Sequence, residues 1–584
     1  MATLRRLWAR PLSAAVLVSL LPFLVLAARA LVDDADAPSG DVALIEVRVS
    51  DVGRWTPLLG SYQRYGFNHP GPLLFYALAG PYRLLGSRYA GIEVGALLLG
   101  GLSLVVILRV AFRRGGRLGL LWAAALVAVA VRAVGPAWLL DAWEPHVLAL
   151  VAAAVIALAS DAVGGRASAL PFVAAAASFV AEAWATMLPL ALAMGGWSTV
   201  GLIVHAGRSV EQRRAVARSL VVGAGVVAVL WLPPVMEQLS HDHGNLSSMI
   251  DALREPPAPA LGLADGWRVV ATELGHRPSW VGFPQALDGL SPTLDLDTAP
   301  VPVALLALAG GLGLALRRRR DSDAWLLGTT SVLAIVAAVY ALSRLLGPVF
   351  VWIPQWLRIV GMTTWCAAGW CGFAGLPDRW QRRGRIALEP FLAVVFVVIV
   401  GLATVDATRF RRQVDPLGAA VRGLVVDAAR DLDDVGGPVL VTSEADADLA
   451  LGGTDVATEV LVLAVEREGL ETRVRPELAH QFGPQRARTT DVGAEIRLVR
   501  ADEAARAPVG FETVAEVDPL TARQRATREA MLATAGLPGD ASDADYVRSV
   551  LVHPDLRADA ARLRAVPDLP RLRLLLRVES REHR

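Results

Sequence analysis

Arginine clusters fall on every second connection between apolar stretches, and that alternation constrains this chain more than any single motif. Apolar runs occupy about 12–32, 89–112, 118–136, 146–160, 168–183, 185–206, 219–235, 301–316, 325–343, 353–375 and 386–404. Arg5, Arg6 and Arg10 precede the first. Arg113, Arg114 and Arg117, then Arg166, then Arg208, Arg213, Arg214 and Arg218, then Arg317–Arg320, and finally Arg379, Arg382, Arg383 and Arg385 follow alternate later runs. Basic residues collect on the cytoplasmic side of membrane segments. The pattern therefore predicts an α-helical polytopic membrane protein of about eleven transmembrane helices, with the N-terminus inside. The first run loosely resembles a signal peptide ending at Ala28-Arg29-Ala30, but its length favours a retained anchor.

That topology places two long connections, 33–88 and 236–300, on the outer face, with 1–405 as the transmembrane domain. Residues Pro70–Leu85 are apolar but short and interrupted by Pro81, which predicts an interfacial helix. Beyond Val405 no apolar run is long enough to span. Gly437–Thr442 and Glu471–Pro476 read as strands and Val456–Gly469 as a helix, so 406–584 is expected to form an extracytoplasmic α/β domain with a looser Arg-rich tail from about 520. The hydrophobic share is 54% and the charged share 19%, outside the ordinary soluble balance. Net charge is +1 with basic residues in topological clusters, which argues against a nucleic-acid partner. Lysine is absent. Cys366 and Cys371 are five apart within one apolar run, off a common helical face, and read as buried hydrophobes.

Polar chemistry concentrates in the first outer connection, Gly40–Tyr76. Val42, Ile45, Val49 and Val52 recur at helical spacing, predicting an amphipathic helix over 42–52. Asp41 is then either its N-cap, with Glu46 and Asp51 on the solvated face, or a carboxylate able to act as general base. Gly66-Phe-Asn-His-Pro-Gly-Pro72 follows, where the polar loop becomes apolar, and is readable as a rigid turn or as a pocket wall.

These residues carry a resemblance. The pattern Gly40, Asp41, Ala43, Glu46, Asp51, Val52, the run Asn68-His-Pro-Gly-Pro-Leu-Leu-Phe-Tyr76, Asp141-x-Trp143-x-Pro145, Trp231–Pro234 and Gly244–Ser247 are similar to the GT-C superfamily of membrane glycosyltransferases. The likeness is greatest to actinobacterial arabinofuranosyl- and mannosyltransferases, and covers 1–405 in topology. It implies transfer of a sugar from a polyprenyl-phosphate donor to an envelope glycan or lipid acceptor at the outer face, next to membrane lipid. It makes Asp41 the general base, with Glu46 and Asp51 behind it, and leaves a divalent cation open as a cofactor.

A departing phosphate requires cations, and arginine presents two parallel donors. Arg54, Arg64, Arg132, Arg344 and Arg358 stand against the positive-inside bias, and Arg358 in Pro354-Gln-Trp-Leu-Arg-Ile-Val-Gly361 is the preferred phosphate ligand. Asn68, His69, Asp141, Glu144 and His146 complete the expected substrate-binding set. Trp184 reads as packing or an interfacial anchor. His241-Asp242-His243 points its ligands apart and fixes no further one, so no metal site is expected there. Neither a Walker loop nor G-x-G-x-x-G occurs, which argues against nucleotide chemistry. Two rivals remain: a flippase for a lipid-linked saccharide, which predicts internal repeats that the sequence lacks, and a catalytically silent glycan-binding relative.

Overall fold

In the computed structural model, the structure describes residues 2–33, 37–63, 65–206, 209–282, 300–318, 322–347, 349–350, 352–412, 414–433, 435–444, 456–487, 492–501, 508–539, 549 and 569–578. Every expected span falls on helix. The first is α1 (Ala2–Val32), followed by α2 (Asp41–Asp51), α3 (Leu73–Leu84) and α4 (Tyr89–Leu140). The second group is α5 (Glu144–Val163), α6 (Leu170–Ala183), α7 (Leu188–Ala206), α8 (Val210–Leu230), α9 (Leu232–Ser240), α10 (Asn245–Arg254) and α11 (Leu263–Leu274). Then come α12 (Val303–Arg318), α13 (Ser322–Ser343), α14 (Leu357–Ala374) and α15 (Asp378–Arg409).

Among the described residues, six helices are long and apolar enough to cross a membrane, or seven if α8 and α9, bent by 47°, form one span. One of the six, α4, is two long arms, with a short last turn set off by a second break at Gly135 (φ 80°). Its backbone leaves helical values at Gly116 (φ 60°), and a Cβ on Gly119 would lie 2.8 Å from the Ala111 carbonyl, so the chain folds back there. The arms correspond to the runs expected at 89–112 and 118–136. Helix α6 and helix α12 are shorter, and α14 carries Arg358 in its first turn. Both cysteines are free.

The C-terminal region is built on a five-stranded mixed sheet. A two-stranded ribbon, β1 (Tyr62–Gln63) and β2 (Phe67–Asn68), comes earlier in the chain. Helix α16 (Pro416–Asp433) leads to β3 (Val439–Ser443), α17 (Val456–Arg467), β4 (Thr472–Arg473), β5 (Ala494–Arg500), β6 (Glu512–Val517), α18 (Ala522–Thr534) and β7 (Leu572–Val578). The order is β4-β3-β5-β7-β6, with β3 parallel to β4 and β5, and β7 antiparallel to β5 and β6. The expected loose tail is thereby corrected. Its distal end, Leu572–Val578, is an interior strand of the sheet. Buried Leu572, Leu574 and Leu576 alternate along it, while Arg573 and Arg577 pair with Glu516 and Glu495 on the flanking strands.

Helix α2 joins the two parts. Ile45 and Val49 enter the core of the helical bundle with Leu74, Phe75 and Leu78. Ala43, Leu44 and Val47 enter a second core with Leu424, Val460 and Leu461 of the C-terminal region. The helix is therefore buried on both sides. This corrects the reading of Glu46 and Asp51 as residues of a solvated face: they are 0% and 2% exposed. Sequence periodicity reveals one apolar face but says nothing about a distant domain covering the other.

Candidate active site

A cavity of about 720 Å³ lies where α2, α5, α7, α13 and α17 meet. Asp41, His69, Glu144 and Arg344 line it, as do Trp143 and Trp184. Helices α2 and α5 begin on its wall, with Gly40 and Asp41 and with Trp143 and Glu144, while α7 and α17 contribute Leu188, Pro189 and Val456. Helix N-termini carry partial positive charge and free N–H groups, so their convergence favours an anion.

Asp41 is the first residue of α2 rather than its cap. The N-cap is Gly40, at φ 58°, and no side chain caps the helix. The Asp41 side chain opens to the cavity while protein closes around it elsewhere. This partial desolvation pushes its pKa above the ordinary carboxylate value; a hydrogen bond from Trp143 opposes the shift and the nearby Asp141 charge adds to it.

Asp141 organises the next turn. One oxygen accepts the Trp143 N–H at 2.9 Å and the other lies 2.7 Å from His146 Nδ1. His146 Nε2 lies 2.8 Å from Gln355 Oε1, which also accepts the Trp138 indole N–H at 3.2 Å. Asp141 and His146 thus form a buttress beneath Trp143. Glu144, the first residue of α5, accepts a hydrogen bond from Ser61.

His69 is a strut. Its Nδ1 accepts the Ala185 N–H at 3.2 Å and its Nε2 lies 2.8 Å from the Gln63 amide. Burial pushes its pKa down to about 3, so the ring is neutral. Next to it, Gly71 donates its N–H to the Glu182 carbonyl at 3.1 Å, and a side chain at Gly71 would run into the Glu182 carboxylate. That carboxylate is fully buried and neither oxygen has a hydrogen-bond partner among the described residues. The glycine of the Pro-Gly-Pro turn is thus required by close approach.

The remaining expected residues lie elsewhere. Glu46 accepts hydrogen bonds from Nη2 and Nε of Arg467 and from the Tyr82 hydroxyl. Asp51 is held by Arg48, Arg486 and Gln485. Neither lines the cavity. Asn68 ties the ribbon to α10 and to the C-terminal region through Asn245 and the His480 carbonyl at 3.0 Å. Arg132 pairs with Asp406 at 3.3 Å, and Arg54 with Glu471 at 2.7 Å. Arg358 is half-buried and not among the residues lining the cavity. Arg64 lies outside the described residues. His241 pairs with Glu237 and His243 with Asp251. Among the described residues no three His, Cys, Asp or Glu side chains converge to hold a cation.

Arg344 is the basic residue of the wall. It makes one hydrogen bond, to the Leu253 carbonyl at 3.2 Å, and no ion pair among the described residues. Around it the wall is apolar and accessible, with Leu192, Leu253 and Tyr340. Also on the wall, Phe350 and Trp352 stack with centroids 4.6 Å apart, and the Trp143 ring centroid stands 6.4 Å from that of Trp352. Ser61, Gln63 and Gln355 had no sequence signal, because isolated hydroxyls and amides gain a role only through contacts.

No protein-family model matches the chain, and a search of curated proteins found no match. Among solved structures, the chain is similar to the crystal structure of ArnT from Cupriavidus metallidurans bound to undecaprenyl phosphate. The TM-score is 0.49 and the identity 14%, over 87% of this chain and 96% of that one. The same protein in its apo state aligns over the same shares with a TM-score of 0.45 and 14% identity.

Proposed function

We propose that this protein is a membrane glycosyltransferase that takes a sugar from a polyprenyl-phosphate donor and transfers it to an envelope glycan or lipid acceptor. The cavity carries the proposal: a carboxylate of raised pKa, one arginine without a carboxylate partner among the described residues and the starts of α2 and α5 share one chamber. The cavity faces outward in the topology read from the arginine clusters, and the C-terminal domain lies on that side.

Asp41 takes the proton of the acceptor hydroxyl as its oxygen forms a bond to the anomeric carbon. The bond from that carbon to the phosphate oxygen breaks, and its electron pair leaves with the polyprenyl phosphate. Arg344 and the helix N-termini stabilise the departing anion. The apolar flank at Leu192, Leu253 and Tyr340 suits an isoprenoid chain, and the flat faces of Phe350, Trp352 and Trp143 suit a sugar ring. Glu144, hydrogen-bonded to Ser61, orients hydroxyls across from Asp41.

The test is transfer of radiolabelled sugar from a panel of polyprenyl-phosphate donors by reconstituted protein, wild type beside Asp41→Asn. Transfer by wild type alone supports the reading. Equal transfer by a folded Asp41→Asn protein excludes Asp41 as base, and no transfer from any donor by wild type rejects the function.

A further inference from the structure

We propose that Arg467 and Arg486 of the C-terminal domain are positioning residues for Asp41, acting through α2; this rests on the glycosyl-transfer reading for its kinetic arm. Helix α2 has 11 residues. Isolated helices of that length are marginal in water, and no side chain caps this one, so its order comes from docking. Asp41 sits at one end on the cavity and Asp51 at the other. Two guanidinium forks grip it at separate points. Arg467 donates to Glu46 from Nη2, at 2.8 and 2.7 Å, and from Nε at 3.2 Å. Arg486 donates to both oxygens of Asp51, at 2.9 and 2.8 Å.

The forks come from different elements, the end of α17 and the turn Pro484–Arg486, so together they fix both the position and the rotation of α2. The charges also balance. Asp51 and Glu466 face Arg48 and Arg486, and Glu46 faces Arg467. Neither Arg467 nor Arg486 lines the cavity, so neither touches substrate. A rigid helix transmits displacement along its axis: loosening either fork moves the Asp41 carboxylate relative to Trp143 and Glu144, which stand on the bundle.

The experiment uses the full chain in vesicles, with Arg467→Ala, Arg486→Ala and the corresponding Lys variants. Hydrogen exchange is followed at 41–51, with amides of 494–500 and 572–578 as the folding control. The expected result is exchange in α2 faster by about tenfold or more, with sheet protection unchanged. In the transfer assay kcat falls by roughly 10²-fold, the cost of about 1 Å of misplacement, while KM for donor and acceptor stays within about twofold. Lys variants, which keep the charge and lose the fork, show the same signs at smaller size and replace any Ala variant whose sheet loses protection. Unchanged α2 exchange in a folded variant overturns the proposal, as does raised KM at constant kcat. If wild type transfers no sugar, the enzymatic reading fails and the exchange data alone decide whether the domain orders α2.

Discussion

Arg486 and Asp51, 435 residues apart in sequence, meet through two parallel hydrogen bonds of 2.9 and 2.8 Å in a site that excludes water. Burial alone would lower the arginine's pKa, but the Asp51 and Glu466 carboxylates outweigh it and hold it above the ordinary value. Removing one member of a buried pair leaves the other uncompensated, at a cost of about 3–5 kcal/mol. Arg486→Ala is therefore expected to lower the thermal midpoint, whereas Arg54→Ala, whose pair with Glu471 is exposed, changes stability by less than about 1 kcal/mol. Differential scanning calorimetry of the two variants checks the contrast.

Asp41→Asn is expected to lose transfer by about 10²–10⁴-fold, the range for a general base. The carboxyl's raised pKa means the folded state binds its proton more tightly than the unfolded chain does. Its contribution to stability is fully present below the unfolded carboxylate value and is lost as pH rises through the raised value. At neutral pH the ionised Asp41 is thus a burden on the fold, and Asp41→Asn should melt higher than wild type. The difference shrinks on acidification. The acid limb of kcat/KM in wild type should lie above the usual carboxylate range.

Arg344 and Arg358 separate by experiment. A charge-assisted hydrogen bond contributes about 1.5–3 kcal/mol, so Arg344→Gln should raise the KM for a polyprenyl-phosphate donor by roughly 10–100-fold. Arg358→Gln, away from the cavity wall, should leave it within about threefold. A reversed order in initial-rate measurements would return the phosphate to Arg358.

His69 makes the loop acid-sensitive. Its folded pKa is pushed down to about 3 from an ordinary 6.5. Such a group contributes stability present above the unfolded value and lost as pH falls toward the folded one. Between about pH 6.5 and 3 the wild type should lose stability in part through His69. His69→Gln should flatten that slope, measured by thermal melts across the range.

Gly71→Ala tests the turn. A methyl group there meets the Glu182 carboxylate, and overpacking of this kind costs about 1–3 kcal/mol. The replacement Gly66→Ala meets no atom within 4 Å, but its φ of 85° carries a backbone cost of its own. Loss of melting temperature should be greater for Gly71→Ala when Glu182 is present than in a Glu182→Ala background.

Much of this architecture was legible along the chain. The apolar runs, the turn-back near Gly116, the strand at 439–443 and the helix at 456–467 all follow from local patterns of hydrophobicity and glycine. The strand Leu572–Val578 was not, because its apolar run is indistinguishable from the Arg-rich stretch around it until β5 and β6 pair on both sides. The same limit governed the acidic residues of α2. Asp41, Glu46 and Asp51 lie within one helix and have the same chemistry, yet one opens to a cavity and two are locked in ion pairs.

By itself, the sequence determined the fold class, a multi-pass membrane protein with a polar loop after the first apolar run and a C-terminal α/β region, because lipid imposes run length and charge asymmetry on the primary structure. Which carboxylate meets the cavity, which arginine lines it, and how residues 467 and 486 come to hold a helix at 41–51 were decided only in three dimensions. Ion pairing and burial depend on what packs nearby, and here the partners lie more than 400 positions away.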